Sequence, residues 1–373
     1  MTDTFIYPTL IGHMDTLLRF YEMEQTQQPT VAMPADEIPF VQSFFSRSQD
    51  GDIDYPRAQD GGMSGAFFAV YVPTPKAAAD CCSTPAAVDV PPERWYERYI
   101  RPAIGYEYAQ QATWQIISSL YRLEAGSQGR LKVVRSVAEL EMCLEQKIIA
   151  AILHIEGAEM IDPQLTTLDV LYQAGLRSLG PVWSRPNVFG YGVPLVVGHS
   201  PDTGPGLTDA GKALVRACNQ LGIMLDLSHL NEQGFWDVAK LSQAPLVATH
   251  SNAYAICPSA RNLTDKQLDA IKASDGLVGI NFNVYDIRPD GKGNVETSLE
   301  DLIRHVDYLV EHLGIERVAI GTDYDGATMP KELHDITGLP KLYAALAARG
   351  YDERSLRLMA SENWLRIFRQ TWH

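Results

Sequence analysis

From residue 148 onward the chain repeats one rhythm: a short apolar run, a polar break, then an amphipathic stretch of helical length. Runs at 148–155, 176–182, 223–227, 246–249, 277–282 and 318–320 read as buried strands, and 165–174, 208–221, 231–241, 264–274 and 299–313 read as helices. Earlier runs near residues 10 and 68 bring the strand count to eight, near 10, 68, 151, 179, 225, 247, 279 and 319. Strands separated by helices pair in parallel through crossovers, and eight such units close into an α/β (β/α)8 TIM-type barrel with short insertions. A doubly wound open sheet is the competing architecture, but no G-x-G-x-x-G follows the first strand and there is no P-loop. The 373 residues are read as one domain, 1–373. A long helix is expected over 94–123, another from a Ser136/Glu139 capping box, and a surface excursion over the Pro/Ala-rich segment 73–93.

A net charge of −15 argues against nucleic acid or an anionic membrane surface as partner. Met1-Thr2-Asp3-Thr4 lacks the basic start of a secretory leader, and no apolar run nears the roughly 18 residues that span a bilayer. The five cysteines, Cys81, Cys82, Cys143, Cys218 and Cys257, form neither a paired framework nor a C-x-x-C motif. A cytoplasmic protein with reduced thiols is expected.

The first apolar run leads into His13-Met14-Asp15. In an extended strand, side chains two residues apart share a face, so the imidazole and the carboxylate can converge. Alone, H-x-D reads as a polar turn. Here Glu156, His229, His250 and Asp323 also end predicted strands, and in a barrel those ends form the single face that carries active sites. Three imidazoles with carboxylates and no thiolate suit zinc, with manganese, cobalt or iron as substitutes. Because a carboxylate such as Glu156 can bridge, two metals are expected rather than one.

Further motifs carry a family resemblance. In chain order they are Gly12-His13-x-Asp15, the segment from Asp54 to Val72 with Gly61-Gly62 and Tyr71-Val72, Ile155-Glu156-Gly157, Leu227-Ser228-His229, Thr249-His250-Ser251-Asn252, Ala260-Arg261-Asn262, Gly321-Thr322-Asp323-Tyr324-Asp325-Gly326 and Glu362-Asn363-Trp364. With these the chain resembles the membrane dipeptidase (renal dipeptidase) family of the amidohydrolase superfamily. The resemblance implies a hydrolase with two zinc ions per chain, bridged by Glu156 and a water or hydroxide. His13 and Asp15 would hold one ion, His229 and His250 the other. Asp323 would be the acid/base, and Arg261, with Asn262 and Trp183 beside it, would contact a small dipeptide, with tolerance for a D-residue at its C-terminal side. A homodimer is a family-level expectation.

The chain departs from the family at two places. Where the family commonly carries a His after the fourth strand, the nearest residue is Trp183, in Val182-Trp183-Ser184-Arg185, which makes Arg185 the candidate for the carbonyl contact. Met14 replaces an Asn at a position facing away from the metals. Trp183 keeps a second function open, a barrel amidohydrolase acting on another amide, a lactam or a lactone. A non-catalytic metal-binding protein would lack a ligand or Asp323, and neither is missing. Outside the site, His154, Asp226 and Asp325 read as orienting residues, His199 as a loop residue, His305 and His312 as helix-face residues, and Cys257 as a small buried residue.

Overall fold

The computed structural model describes residues 6–26, 33–75 and 92–372. Among the described residues there are nine strands: β1 (Thr9–Met14), β2 (Met63–Tyr71), β3 (Leu131–Val133), β4 (Ile149–Glu156), β5 (Leu176–Gly180), β6 (Met224–Leu225), β7 (Val247–Ala248), β8 (Leu277–Asn281) and β9 (Val318–Tyr324). All pair in parallel in the order β6-β5-β4-β2-β1-β9-β8-β7, with β3 added beside β4. A parallel bridge between Asp226 and Val247 joins the two ends, so eight strands make a nearly closed barrel, as the strand–helix rhythm predicts.

The seam at that bridge explains why β6 and β7 are shorter than their apolar runs. The Asp226 carboxylate takes the backbone N–H groups of Ser228 (3.0 Å) and Thr249 (2.9 Å). A side chain thus satisfies donors that a longer ladder would otherwise occupy.

Strand alternation sorts the core. On β4, Ala151, Leu153 and Ile155 pack outward under the helices, whereas Ala150 and Ile152 point into the barrel. The interior floor is built from Leu10, Phe67, Ile152, Met224, Val247, Leu277 and Ala319. The C-terminal helix Asn363–Thr371 plugs this end with Trp364, Ile367 and Phe368, and Phe67 meets Trp364 at 4.9 Å between ring centroids. Gly12 permits that approach, since a Cβ there would strike both the Trp364 ring and the Thr249 carbonyl. Met14 lies in the outer cluster, facing away from the barrel interior.

The helices start where side-chain caps dictate. Thr208 accepts from Gly211 N–H and Asn231 from Gly234 N–H, while Thr264 and Gln267 form a reciprocal box. Two expectations need correction. The segment 94–123 is not one helix: a 3-10 stretch, Pro92–Arg98, precedes a helix over Tyr106–Gly126. Pro102 lacks the donor a helix needs, and Gly105 is the cap of the second element. The Ser136 box is half made, because Ser136 takes Glu139 N–H but Glu139 takes Arg135 N–H instead of that of Ser136. His305 lies on the buried face of the helix Leu299–Leu313. Residues 131–133 add a strand that the sequence rhythm missed. Most of the 73–93 excursion, with Cys81 and Cys82, lies outside the described residues. Among the described residues, no helix is long and apolar enough to cross a membrane.

Candidate metal centre

Toward the carboxyl ends of the strands the inward positions turn polar. On β4, Ala150 and Ile152 are followed by His154 and Glu156, and on β9, Ala319 and Gly321 are followed by Asp323. These side chains meet His13 from β1, Asp15 just past its end, His229 from the loop after β6 and His250 from the loop after β7. His229 and Asp323 both have positive φ, 67° and 77°, backbone strain of the kind functional sites hold.

The five expected ligands converge. His13 Nε2 lies 3.3 Å from Asp15 Oδ2 and 3.7 Å from Glu156 Oε1. Glu156 Oε1 also lies 2.9 Å from His229 Nε2 and 3.6 Å from His250 Nε2. Donor atoms of His13, Asp15 and Glu156 fall within 4.8 Å of one another, and so do those of Glu156, His229 and His250, which makes two overlapping groups sharing Glu156.

Tautomers decide what such a cluster can hold. The Thr249 hydroxyl gives its one proton to Asp226 Oδ2 at 2.6 Å, since a carboxylate only accepts. At 2.8 Å it must therefore accept from His250 Nδ1–H, leaving a lone pair on His250 Nε2. That lone pair sits 3.1 Å from His229 Nε2. His229 is held from behind by Ser184 at Nδ1, 2.8 Å away. Buried His13 Nε2 and Asp15 Oδ1 have no hydrogen-bond partner. Two imidazole Nε2 atoms turned toward each other, with His13 Nε2 and Asp15 Oδ1 buried without partners, form a polar set that a cation satisfies, so the donor set fits divalent metal.

The electrostatics agree. Burial pushes Glu156 well above the usual carboxylate range, only partly offset by His13, with Asp15 adding to the rise. Burial alone would lower His13, but Glu156 and Asp15 outweigh it and hold the imidazole at about 10 in the metal-free protein. Burial drives His229 and His250 far below their ordinary value, helped by the Arg261 guanidinium at His229 and by His13 at His250. The cluster keeps protons that a dication would replace. Burial also raises Asp323 to about 7, against the pull of His13.

A cavity of about 280 Å³ opens over the cluster, lined by Asp15, Glu156, His229, Asp323, Arg261 and Trp183 among others. Arg261 is buried and anchored by Nη2 donating to the His250 carbonyl at 3.0 Å. Trp183 packs against Tyr71 at 5.0 Å and forms one wall. Two expectations fail here. Asn262 does not line the cavity: its amide nitrogen donates to the Cys257 and Asp286 carbonyls, both at 2.9 Å, and its oxygen accepts from Asn252 N–H, so it shapes the Arg261 loop instead. Arg185 is fully buried behind the Tyr71–Trp183 wall and spends its donors on Glu159 (2.6 Å) and the Val72 carbonyl (2.8 Å), so it supplies no carbonyl contact.

Sequence reasoning missed Asn281, whose Nδ2 donates to Asp323 Oδ2 at 3.3 Å, and also Asn283, Tyr285 and Asp286, which line the cavity. Asn281 ends β8 on the same inward row as Leu277 and Gly279, so its place at a strand end was the one signal that could have found it. Among residues held back, His199 stacks on Trp95 at 3.8 Å, and Asp325 accepts from Thr16 Oγ1 at 2.6 Å and from Asp52 N–H at 2.7 Å.

Comparison with known proteins gives a consistent picture. A family model described as membrane dipeptidase, peptidase family M19, matches residues 8–373. A Klebsiella pneumoniae protein described as an uncharacterized protein in the pqqA 5′ region is 48% identical over 259 residues, 69% of this chain and 96% of that one. A Rhodobacter sphaeroides metallo peptidase, solved with a phosphinate mimic of the dipeptide L-Ala-D-Ala, shares 45% identity at a TM-score of 0.87, covering 98% of this chain and 100% of its own. A metallo peptidase described as dipeptidase AC superposes at 0.86 with 45% identity, covering 98% and 99%.

Proposed function

Since the chain belongs to the membrane dipeptidase family of metallopeptidases, we propose that it hydrolyses small dipeptides, including those with a D-residue at the C-terminal side, using two zinc ions. The observation that carries this reading is the pair of three-residue groups sharing Glu156 beneath a cavity that also presents Asp323 and Arg261. The Rhodobacter sphaeroides relative, bound to its L-Ala-D-Ala mimic, supports the substrate class.

In this reading His13 and Asp15 would hold one ion, His229 and His250 the second, and Glu156 would serve both groups. Metal held by these residues would supply an acidified water and a Lewis acid for the amide carbonyl. The remaining steps belong to the protein. Arg261 receives the terminal carboxylate of the substrate with its always-charged guanidinium. Asp286, which lines the cavity apart from the metal ligands, offers a carboxylate to a free ammonium group. Asp323 takes the proton of the attacking water and returns it to the leaving amine, and Asn281 holds its carboxylate in place. Tyr71 and Trp183 exclude water from one side.

The test is hydrolysis of an L-L and L-D dipeptide panel by zinc-loaded protein, with Asp323→Asn as control. Turnover that needs both zinc and Asp323 is the expected result. The indole of Trp183 on the cavity wall favours a second reading, another amide, a lactam or a lactone, and such compounds belong on the same panel. Inertness toward every dipeptide alongside turnover of one of these would replace the first reading with the second.

A further inference from the structure

His154 is fully buried, and the chemistry above makes no use of it. It lies one inward step below Glu156 on β4, edge-on to His13 with ring centroids 5.4 Å apart. Its Nδ1 meets Ser178 Oγ at 2.9 Å, but its Nε2 has no hydrogen-bond partner. The nearest acceptor, Asp226 Oδ2, stands 3.6 Å away, beyond a direct hydrogen bond. A ring nitrogen of His13, one of His154 and a carboxylate oxygen of Asp226 all lie within 4.8 Å of one another. His13 turns Nε2 toward Asp15 and Glu156, and its Nδ1 is also buried without a partner. An imidazole that binds metal through Nε2 carries its proton on Nδ1, and that proton needs an acceptor to fix the ring.

We propose that His154 and Asp226 are positioning residues for the metal ligand His13, acting through one buried water that accepts from His13 Nδ1–H and donates to Asp226 Oδ2 and His154 Nε2. Three buried polar side chains with atoms within 4.8 Å of one another match the two to four partners a buried water takes. His154 then donates Nδ1–H to Ser178, so every proton in the chain has an acceptor. Asp226 already orients His250 through Thr249. One carboxylate at the barrel seam therefore sets a ring in each half of the metal pair, which ties seam closure to ligand geometry.

The proposal rests on His13 being a ligand, and its test reads zinc binding rather than turnover. Chelator competition on the full chain compares wild type with His154→Leu and His154→Gln. Loss of an outer hydrogen-bond partner should weaken zinc about 10–100-fold at one of the two sites in His154→Leu. His154→Gln, which keeps a polar group for the water, should stay within a few-fold of wild type. Independently of any variant, ¹H–¹⁵N spectra of zinc-loaded wild type should contain a slowly exchanging His13 Nδ1–H. Unchanged affinity in His154→Leu, equal loss in both variants, or absence of the protected proton overturns the proposal and leaves the metal centre standing. A third zinc in wild type that His154→Leu removes overturns the water in favour of a cation. Wild type that binds no zinc overturns both readings.

Discussion

His305 makes a sharp prediction about acid stability. Its Nδ1 accepts the Ala253 N–H at 3.1 Å, so the ring proton resides on Nε2 and is donated to the Ile287 carbonyl at 2.7 Å. The neutral ring thus stitches the segment leading to Arg261 to the loop that follows β8. Burial lowers its pKa from 6.5 to about 4. Between those values the folded protein binds fewer protons than the unfolded chain. The stabilisation is therefore fully present above pH 6.5 and is lost as pH falls through 4. A shift of that size is worth about 3 kcal/mol. Divided by an unfolding entropy of about 0.8 kcal/mol/K for a chain of this length, it amounts to about 4 °C in Tm. His305→Gln keeps an acceptor and a donor but cannot titrate. At pH 4.5 most of that difference, about 3 °C, is already lost, so thermal unfolding at pH 7.5 and pH 4.5 should show wild type losing about 3 °C more than His305→Gln. Protonation of the metal ligands acts on both proteins and cancels in the difference. Equal losses in the two proteins would refute the assigned tautomer and the linkage built on it.

Other outcomes follow from the same structure. Asp323→Asn should retain zinc, measured by metal analysis, while kcat falls about 10²–10⁴-fold, the usual worth of a positioned acid/base. Arg261→Lys should raise KM for dipeptides while kcat changes little; losing a charge-assisted hydrogen bond costs about 1.5–3 kcal/mol, which steady-state kinetics reads as a 10–100-fold drop in kcat/KM. Asn281→Ala removes the donor at Asp323 Oδ2, so the acid limb of the kcat profile should move to higher pH, because a carboxylate that loses a hydrogen bond to its charged form is more readily protonated. Trp364→Ala should destabilise by about 3–5 kcal/mol in chemical denaturation, by emptying the barrel plug without touching the metal face.

The barrel was legible because the alternating sequence encodes it twice. Ala150, Ile152, His154 and Glu156 show the interior row of β4 directly, and the intervening residues show its helix-facing row. The strand-end rule then collected His13, Asp15, Glu156, His229, His250 and Asp323, and the structure brings all six to one place. Asn281 escaped because an amide at a strand end carries no metal signature of its own. Asn262 and Arg185 show the opposite failure. Residue type and nearness in sequence suggested substrate contacts, but backbone carbonyls and Glu159 claim their donors. The segment 94–123 has helical periodicity throughout, and a single proline with a nearby glycine breaks it. β3 spans three residues, too short for a periodic signal to register.

The most direct test of the account strips the protein of metal with chelator, titrates zinc back, and follows hydrolysis of L-Ala-D-Ala. The account predicts no turnover at the start and a rise that levels off near two zinc ions per chain. Turnover that persists in metal-free protein, or that is complete before the second ion binds, would contradict a paired centre built on His13, Asp15, Glu156, His229 and His250.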